Sequence, residues 1–251
     1  MFQAAASVMP NRLRLLPHFS ASAFGSLGDD VCLALENAAS YRMLAANEFI
    51  YLQEDDADFL YFVRSGHVRL SYLLEDGSPI LFGVLPPGES FGELGVFEGG
   101  QHYDMATAIG AGSIYCIPAT VFHALSQRYP DLNLALARTI AQRYRSYISL
   151  TRILGLKTLQ SRLSQCLLRV ADGLGDRTEY LNRTVLRVRA FITQSDLGLI
   201  ARGARGNVNR ALKGWERDGL IAIQDRNILI LDRSSLEAIA LEDDLSRLRH
   251  G

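Results

Sequence analysis

Hydrophobic positions along this chain change their spacing twice, and each change marks a change of architecture. Between about Glu48 and Pro118 they come in short runs, FIYL, FLYFVRSG, HVRLSYLL, ILFGVL and MATAIGAGSIYCIP, cut by acidic or Gly/Pro segments such as QEDDAD, EDGSP and PPGES. Runs of this length, rich in β-branched and aromatic residues and bounded by turn formers, predict strands; a succession of them predicts a β-barrel or roll. After Pro118 the spacing becomes helical. Residues 119–128 form a predicted short helix, and Pro130 suits the first turn of a much longer one reaching about residue 154. On it Leu136, Ile140, Tyr144, Tyr147, Leu150 and Leu154 follow steps of three and four. Such a seam predicts pairing with a second copy of the helix; packing against the chain's own barrel is the competing reading. A helix at about 157–172 and the turn GLGDRTE follow, with a hinge expected near Gly155.

The second change comes at ITQSDLGLIARGARGNVNRALKGWERDGLIAIQDRNILIL, residues 192–231. Thr193 is placed to cap a short helix with Asp196 at its third position, where a carboxylate also suits the positive end of the helix dipole. Leu197, Ile200 and Ala201 give that helix an inner face, Gly198 allows a close helix crossing, and Gly203 supplies the break. In the next helix Val208, Leu212 and Trp215 recur at helical spacing and face inward. Arg205, Gly206, Asn209, Arg210 and Lys213 are left outside. Ile221 and Ile223, a turn at Asp225-Arg226-Asn227, and Ile228 to Leu231 then form a small β wing. A helix-turn-helix with a wing and a basic, amide-bearing outer face implies DNA binding in a major groove. The plainer reading is a packed helical pair with a solvated charged face.

Composition sharpens this picture. At 251 residues and 48% hydrophobic, the chain is long enough for two domains with ordinary cores. Its apolar stretches are broken by charge well before the roughly 18 residues a membrane helix needs. Residues 1–16 read as a loose extension without the long apolar region of a secretory signal, so a cytoplasmic location is expected. Cys32, Cys116 and Cys166 are odd in number and lack CxxC spacing; they are read as buried free thiols, and no iron–sulfur cluster is expected. The net charge of −1 conceals an asymmetry: residues 1–128 hold 6 Lys/Arg against 14 Asp/Glu, whereas residues 183–233 hold 10 against 5. Phosphate contacts require such a local basic face.

Four segments in this order, FLYFVRSGHVRL at 59–70, PPGESFGELGVFEGGQ at 86–101, YPDLNLALARTIAQR at 129–143 and the helix-turn-helix, resemble the Crp/Fnr (cyclic-AMP receptor protein) superfamily over about residues 17–232. The resemblance implies an α+β chain: an N-terminal cyclic-nucleotide-binding-type β-roll (jelly roll) at 17–128, a dimerisation helix at 129–155, and a C-terminal winged helix-turn-helix at 156–251. It implies a non-enzymatic transcription regulator that binds a near-palindromic site on double-stranded DNA as a homodimer, with RNA polymerase as a further partner and no membrane. Arg205, Asn207, Asn209 and Arg210 would then reach bases, while Gln194, Ser195, Arg202, Lys213 and, at the wing, Gln224 would hold phosphates.

The chain also departs from the family pattern. In the family the GESFGEL-type loop cradles a cyclic phosphate, and Gly92, Glu93 and Leu94 match that part. The Arg and hydroxyl that grip the phosphate are replaced by Tyr103 and Asp104, and the Thr-Ser pair that contacts adenine by Tyr147 and Ile148. An anion beside the phosphate position repels it, so cyclic AMP is not expected as the effector. The loop glycines are then either structural or part of a retained pocket for another ligand, with Gly92, Glu93, Leu94, Tyr103, Asp104, Arg143 and Tyr147 as its candidate residues. His102 is read as a surface histidine rather than a haem ligand, and no HxH pairing supports a metal-dependent enzyme on a similar roll. In the recognition helix Gly206 replaces the family's glutamate, which removes an acceptor for cytosine N4; Asn207 and Asn209 offer adenine contacts instead. A cyclic-nucleotide-type regulatory subunit acting on a partner protein is the alternative function, against which the basic helix face counts.

Overall fold

Alternation of inward and outward side chains closes the N-terminal half into an antiparallel roll. The computed structural model of the chain describes residues 23–248, with side chains described as far as Leu241; the extension at 1–16 lies outside the described residues. Helix α1 (Asp29–Ala38) leads into strands β1 (Ser40–Leu44), β2 (Phe49–Tyr51), β3 (Phe59–Leu73), β4 (Pro79–Leu85) and β5 (Ser90–Phe91), then a short helix α2 (Glu93–Glu98) and strand β6 (Met105–Pro118). β6 pairs antiparallel with β1, β2 and β3, and β3 pairs in turn with β4 and β5. Val63, Val68, Leu70, Leu85, Phe91, Ala106 and Ile114 fill the interior.

The runs FLYFVRSG and HVRLSYLL, separate in the sequence reading, are one strand. Its register against β6 shifts on both sides of Ser65. The cause is Gly66, at φ +79°, where an added Cβ would lie 3.1 Å from the Ala111 carbonyl; a bulge there bends the strand without ending it. β1 escaped the reading because only Leu44 of its five residues is buried, which leaves no alternation to see.

Helices α3 (Ala119–Arg128) and α4 (Asp131–Leu154) follow, close to the sequence expectation. The predicted seam on α4 is redistributed. Leu136 is 1% exposed and Leu150 5%; the first packs with Phe24, Phe62 and Phe122 beside the roll, the second with the C-terminal core. Tyr147 sets its ring edge against Phe82 of β4, centroids 4.9 Å apart, while Ile140 and Leu154 are half-buried. Of the predicted seam residues only Tyr144 is exposed. The apolar stripe left in solvent is instead Leu134, Ala137, Ala141, Tyr144 and Ile148, again at steps of three and four.

Beyond Gly155 come α5 (Leu159–Leu174), β7 (Asp176–Tyr180), β8 (Arg183–Val188), α6 (Gln194–Ala201), α7 (Arg205–Arg217), β9 (Ile221–Gln224), β10 (Asn227–Ile230) and α8 (Arg233–Leu248). Thr158 caps α5 by accepting the Ser161 N–H at 3.1 Å. The segment GLGDRTE, read as a turn, carries the first strand of a β7–β8 hairpin, closed at Leu181-Asn182 with both φ values positive (+47° and +59°), as a two-residue hairpin turn of this hand requires. Leucine at such a position hid the turn. The four strands run in the order β7-β8-β10-β9. Their core includes Leu163, Leu167, Leu197, Val208, Leu212 and Trp215, and it extends to Leu81 of β4 and to Leu150 and Ile153 of α4. One apolar cluster therefore joins the roll, the long helix and the C-terminal domain.

Candidate nucleic-acid interface

The predicted capping box forms as written. Thr193 Oγ1 accepts the Asp196 N–H at 3.1 Å, and Asp196 Oδ2 accepts the Thr193 N–H at 2.8 Å. α6 ends at Ala201, with Arg202 in the left-handed conformation (φ +49°) as its C-cap. Gly198 is needed for the crossing: an added Cβ would lie 2.7 Å from the Gly203 carbonyl. On α7, Val208, Ala211, Leu212 and Trp215 are buried. Arg205, Gly206, Asn207, Arg210 and Lys213 are exposed, and Asn209 is half-buried.

Two amides on this face are already oriented. Asn209 Nδ2 donates to Gln194 Oε1 at 2.9 Å, linking α7 to the start of α6, and Arg210 reaches Asn207 Oδ1 at 3.4 Å. Ser195, Arg202 and Gln224 are exposed. A groove of about 350 Å³ opens between α6 and the wing, lined by Thr193, Gln194, Ser195, Arg205, Ile223 and Arg226. Arg205 and Arg226 line it together with the first residues of α6, an arrangement suited to a phosphate. Arg226 was missed by the sequence reading. It sits at the wing tip, with Asp225 and Arg226 both at positive φ; the turn itself was legible, and its cation is the signal that would have found it.

Of the candidate sensor residues, Glu93, Asp104, Arg143 and Tyr147 lie close enough to act on one another's charge, while Tyr103 stands apart. Gly92 caps α2 at φ +78°, and an added Cβ would lie 3.0 Å from both the Phe59 carbonyl and the Tyr61 ring, so this glycine has a structural reason to be there. Glu93 is buried and paired with Arg143, Oε1 to Nε 3.1 Å. Arg143 also donates to the Ser90 carbonyl at 2.7 Å and lies 3.5 Å from Glu89. Leu94 is half-buried beside them. Asp104 accepts from Tyr51 Oη at 2.9 Å, and burial pushes its carboxyl up to about 6. Tyr103, at 59% exposure, points away from this cluster and donates to Glu98.

His102 corrects the surface reading. It is 3% exposed, its ring stacks on Tyr51 with centroids 3.6 Å apart, and its Nε2 is buried without a hydrogen-bond partner; burial lowers its pKa to about 4. The loop folds back over the aromatic group Tyr51, Tyr61 and Phe91, which sequence spacing did not reveal. Cys32, Cys116 and Cys166 are buried free thiols. Among the described residues no group of three His, Cys, Asp or Glu is placed to hold a metal ion, and no helix is long and apolar enough to cross a membrane.

Comparison with known proteins gives two family matches in this order. A cyclic nucleotide-binding domain matches residues 41–129, and a Crp-like helix-turn-helix domain matches residues 161–239. A CRP-like cAMP-activated global transcriptional regulator of Mycobacterium tuberculosis is 25% identical over 187 residues, covering 74% of this chain and 82% of the relative. A solved transcriptional regulator of the CRP family from Thermus thermophilus is 27% identical, covers 79% of this chain and 96% of its own, and superposes with a TM-score of 0.65. The structure of FixK2 from Bradyrhizobium japonicum, 23% identical, covers 80% and 96% of the two chains with a TM-score of 0.69 and shows the shared fold.

Proposed function

Because the chain belongs to the Crp/Fnr superfamily of DNA-binding transcription regulators, we propose that it binds a near-palindromic operator as a homodimer, without catalytic activity and without a requirement for cyclic AMP. The observation that carries this is α7: its apolar face is buried in the domain while Arg205, Asn207, Arg210 and Lys213 stand in solvent on the opposite face. Arg205 and Arg210 suit bidentate contacts to guanine, and Asn207 and Asn209 to adenine. Gln194, Ser195, Arg202, Lys213, Gln224 and Arg226 surround them as phosphate contacts. Two copies pair through the exposed stripe of α4, which sets the two α7 helices about 34 Å apart on one face of the duplex. Such a regulator works in the cytoplasm, with RNA polymerase as the family-typical partner.

The relative from Mycobacterium is named for activation by cAMP. Here the place of the phosphate clamp holds Asp104, tied to Tyr51, and Arg143 is already engaged by Glu93, Glu89 and the Ser90 carbonyl. Among the described residues, a cyclic phosphate entering this site meets carboxylates, and the arginine there, Arg143, is already committed.

Fluorescence anisotropy with an operator selected from random duplexes tests the reading. Arg205→Ala is expected to weaken binding by about 1–3 kcal/mol and to relax selectivity at one base pair per half-site, whereas Lys213→Ala weakens all sequences alike and reduces the salt slope. Added cyclic AMP leaves the affinity unchanged. Failure to enrich any sequence, or a strict need for the nucleotide, overturns the corresponding half of the proposal.

A further inference from the structure

The hydrogen bond between Asn209 and Gln194 joins two surfaces of the winged domain. Gln194, the first residue of α6, lines the groove between that helix and the wing, together with Arg205 and Arg226. Asn209 lines the open face of α7, together with Gly206, Arg210 and Lys213. Both side chains are half-buried, and their amides meet at 2.9 Å, Asn209 Nδ2 donating to Gln194 Oε1. Among the described residues neither amide makes another side-chain hydrogen bond.

A side-chain amide carries donors on one branch and an acceptor on the other, so holding one branch fixes the other. With Nδ2 bonded to Gln194, Asn209 keeps Oδ1 as its uncommitted acceptor. Arg205, four residues earlier, is its neighbour on the same side of the helix, and a cation there favours an outward oxygen over an outward NH2. Gly206, three residues earlier, brings no side chain, and a Cβ there meets nothing within 4 Å. The acceptor missing at Gly206 is thus supplied one turn later by the Asn209 carbonyl. The donors that bases present in the major groove are exocyclic amino groups, adenine N6 and cytosine N4, whereas guanine O6 and thymine O4 would face Oδ1 lone pair to lone pair.

We propose that Gln194 is a positioning residue for base readout: it holds Asn209 so that each half-site must present an amino base, adenine or cytosine, at one position of the contacted strand. Its own Nε2 remains to donate to the adjoining phosphate. Without Gln194 the Asn209 amide can turn over and offer Nδ2 to guanine O6 or thymine O4, and the distinction is lost. The inference rests on the operator reading above and adds to it a residue that sets sequence preference without touching a base.

The test is selection from random duplexes by the full chain and its variants, followed by anisotropy with the selected operator changed at single positions. The parent is expected to prefer adenine or cytosine over guanine or thymine by about tenfold at one position per half-site; the selected base tells adenine from cytosine, and Asn209→Ala identifies the position by abolishing the preference there. Gln194→Leu is expected to reduce the same preference to below about threefold and to leave base preferences unchanged in the Asn209→Ala background. Gln194→Glu keeps an acceptor for Nδ2 and sets a charge against the phosphate, so it should weaken all sequences alike and retain the preference. Thr193 and Asp196 cap α6 without Gln194, and both variants are expected to fold. A parent that selects no sequence overturns the operator reading and this inference with it. With an operator in hand, a uniform loss in Gln194→Leu, a lost preference in Gln194→Glu, or guanine or thymine at the Asn209 position overturns this inference alone.

Discussion

Asp104, half-buried, and His102, buried, show how two titrating groups can conceal each other. Burial raises the Asp104 carboxyl from 3.8 to about 6, and burial lowers the His102 imidazole from 6.5 to about 4. In the folded chain Asp104 holds its proton to higher pH than in the unfolded chain, so its contribution to stability is lost as pH rises from about 4 to 6. His102 does the reverse: the unfolded chain binds its proton more tightly, so stability is gained as pH rises from about 4 to 6.5. The two slopes oppose each other over nearly one window. Asp104→Asn, which keeps an acceptor for Tyr51, should unmask the histidine, so that stability relative to the parent protein rises by roughly 1–3 kcal/mol across that window. His102→Gln should tilt the difference the other way. Urea unfolding at half-unit pH steps measures both, and parallel curves for either variant would contradict the assigned protonation states. The sequence placed Asp104 in a candidate pocket but read His102 as a surface residue, and nothing in it showed that Tyr51 lies between the two, stacked on one and donating to the other.

At the scale of elements, α4 shows what periodicity can and cannot decide. Steps of three and four told that the helix carries an apolar face, and they do not tell which face is covered by the same chain. Leu136 and Leu150 belong to internal cores, while Ala137, Ala141, Tyr144 and Ile148 remain in solvent. The doublet Ala141→Asp and Ile148→Asp should therefore leave folding within about 0.5 kcal/mol of the parent. It should give monomers in analytical ultracentrifugation and reduce operator affinity by about 100-fold or more, since two half-sites would no longer be engaged together. Leu150→Asp should unfold the C-terminal core instead. A doublet that stays dimeric would move the pairing surface elsewhere. The helix-turn-helix was far more legible: its cap, its glycine crossing and its buried face each follow from contacts within some twenty residues. The β7–β8 hairpin was not, because its strands are mostly polar and its turn carries Leu181 where glycine or a small polar residue would have marked it.

For the whole molecule, the question is how the roll reaches the DNA-binding domain, and the geometry supplies a polar answer beside the shared apolar core. Arg69 of β3 meets Asp196 of α6 in a two-pronged pair, Nε to Oδ1 at 2.6 Å and Nη2 to Oδ2 at 3.1 Å, with the Asp196 side chain only 4% exposed. The same carboxylate caps α6 through Thr193, so one group closes the helix start and ties it to the roll. Beside it the His67 ring stacks on Phe191, centroids 3.8 Å apart. Taking both charges out of water offsets much of their attraction, so the pair contributes orientation more than net stability. Removing one partner is another matter, because the other charge is then left partly buried. Arg69→Met, Asp196→Asn and the double variant form a cycle that separates the coupling from the cap, and the coupling should be on the order of 1–3 kcal/mol. Differential scanning calorimetry should show the single transition of the parent resolving into two in Arg69→Met, as the roll and the winged domain begin to unfold apart. A coupling below about 0.3 kcal/mol, within the additivity expected of independent sites, together with an unsplit transition, would mean that the apolar cluster around Leu81 and Leu150 alone sets the orientation of the helix-turn-helix.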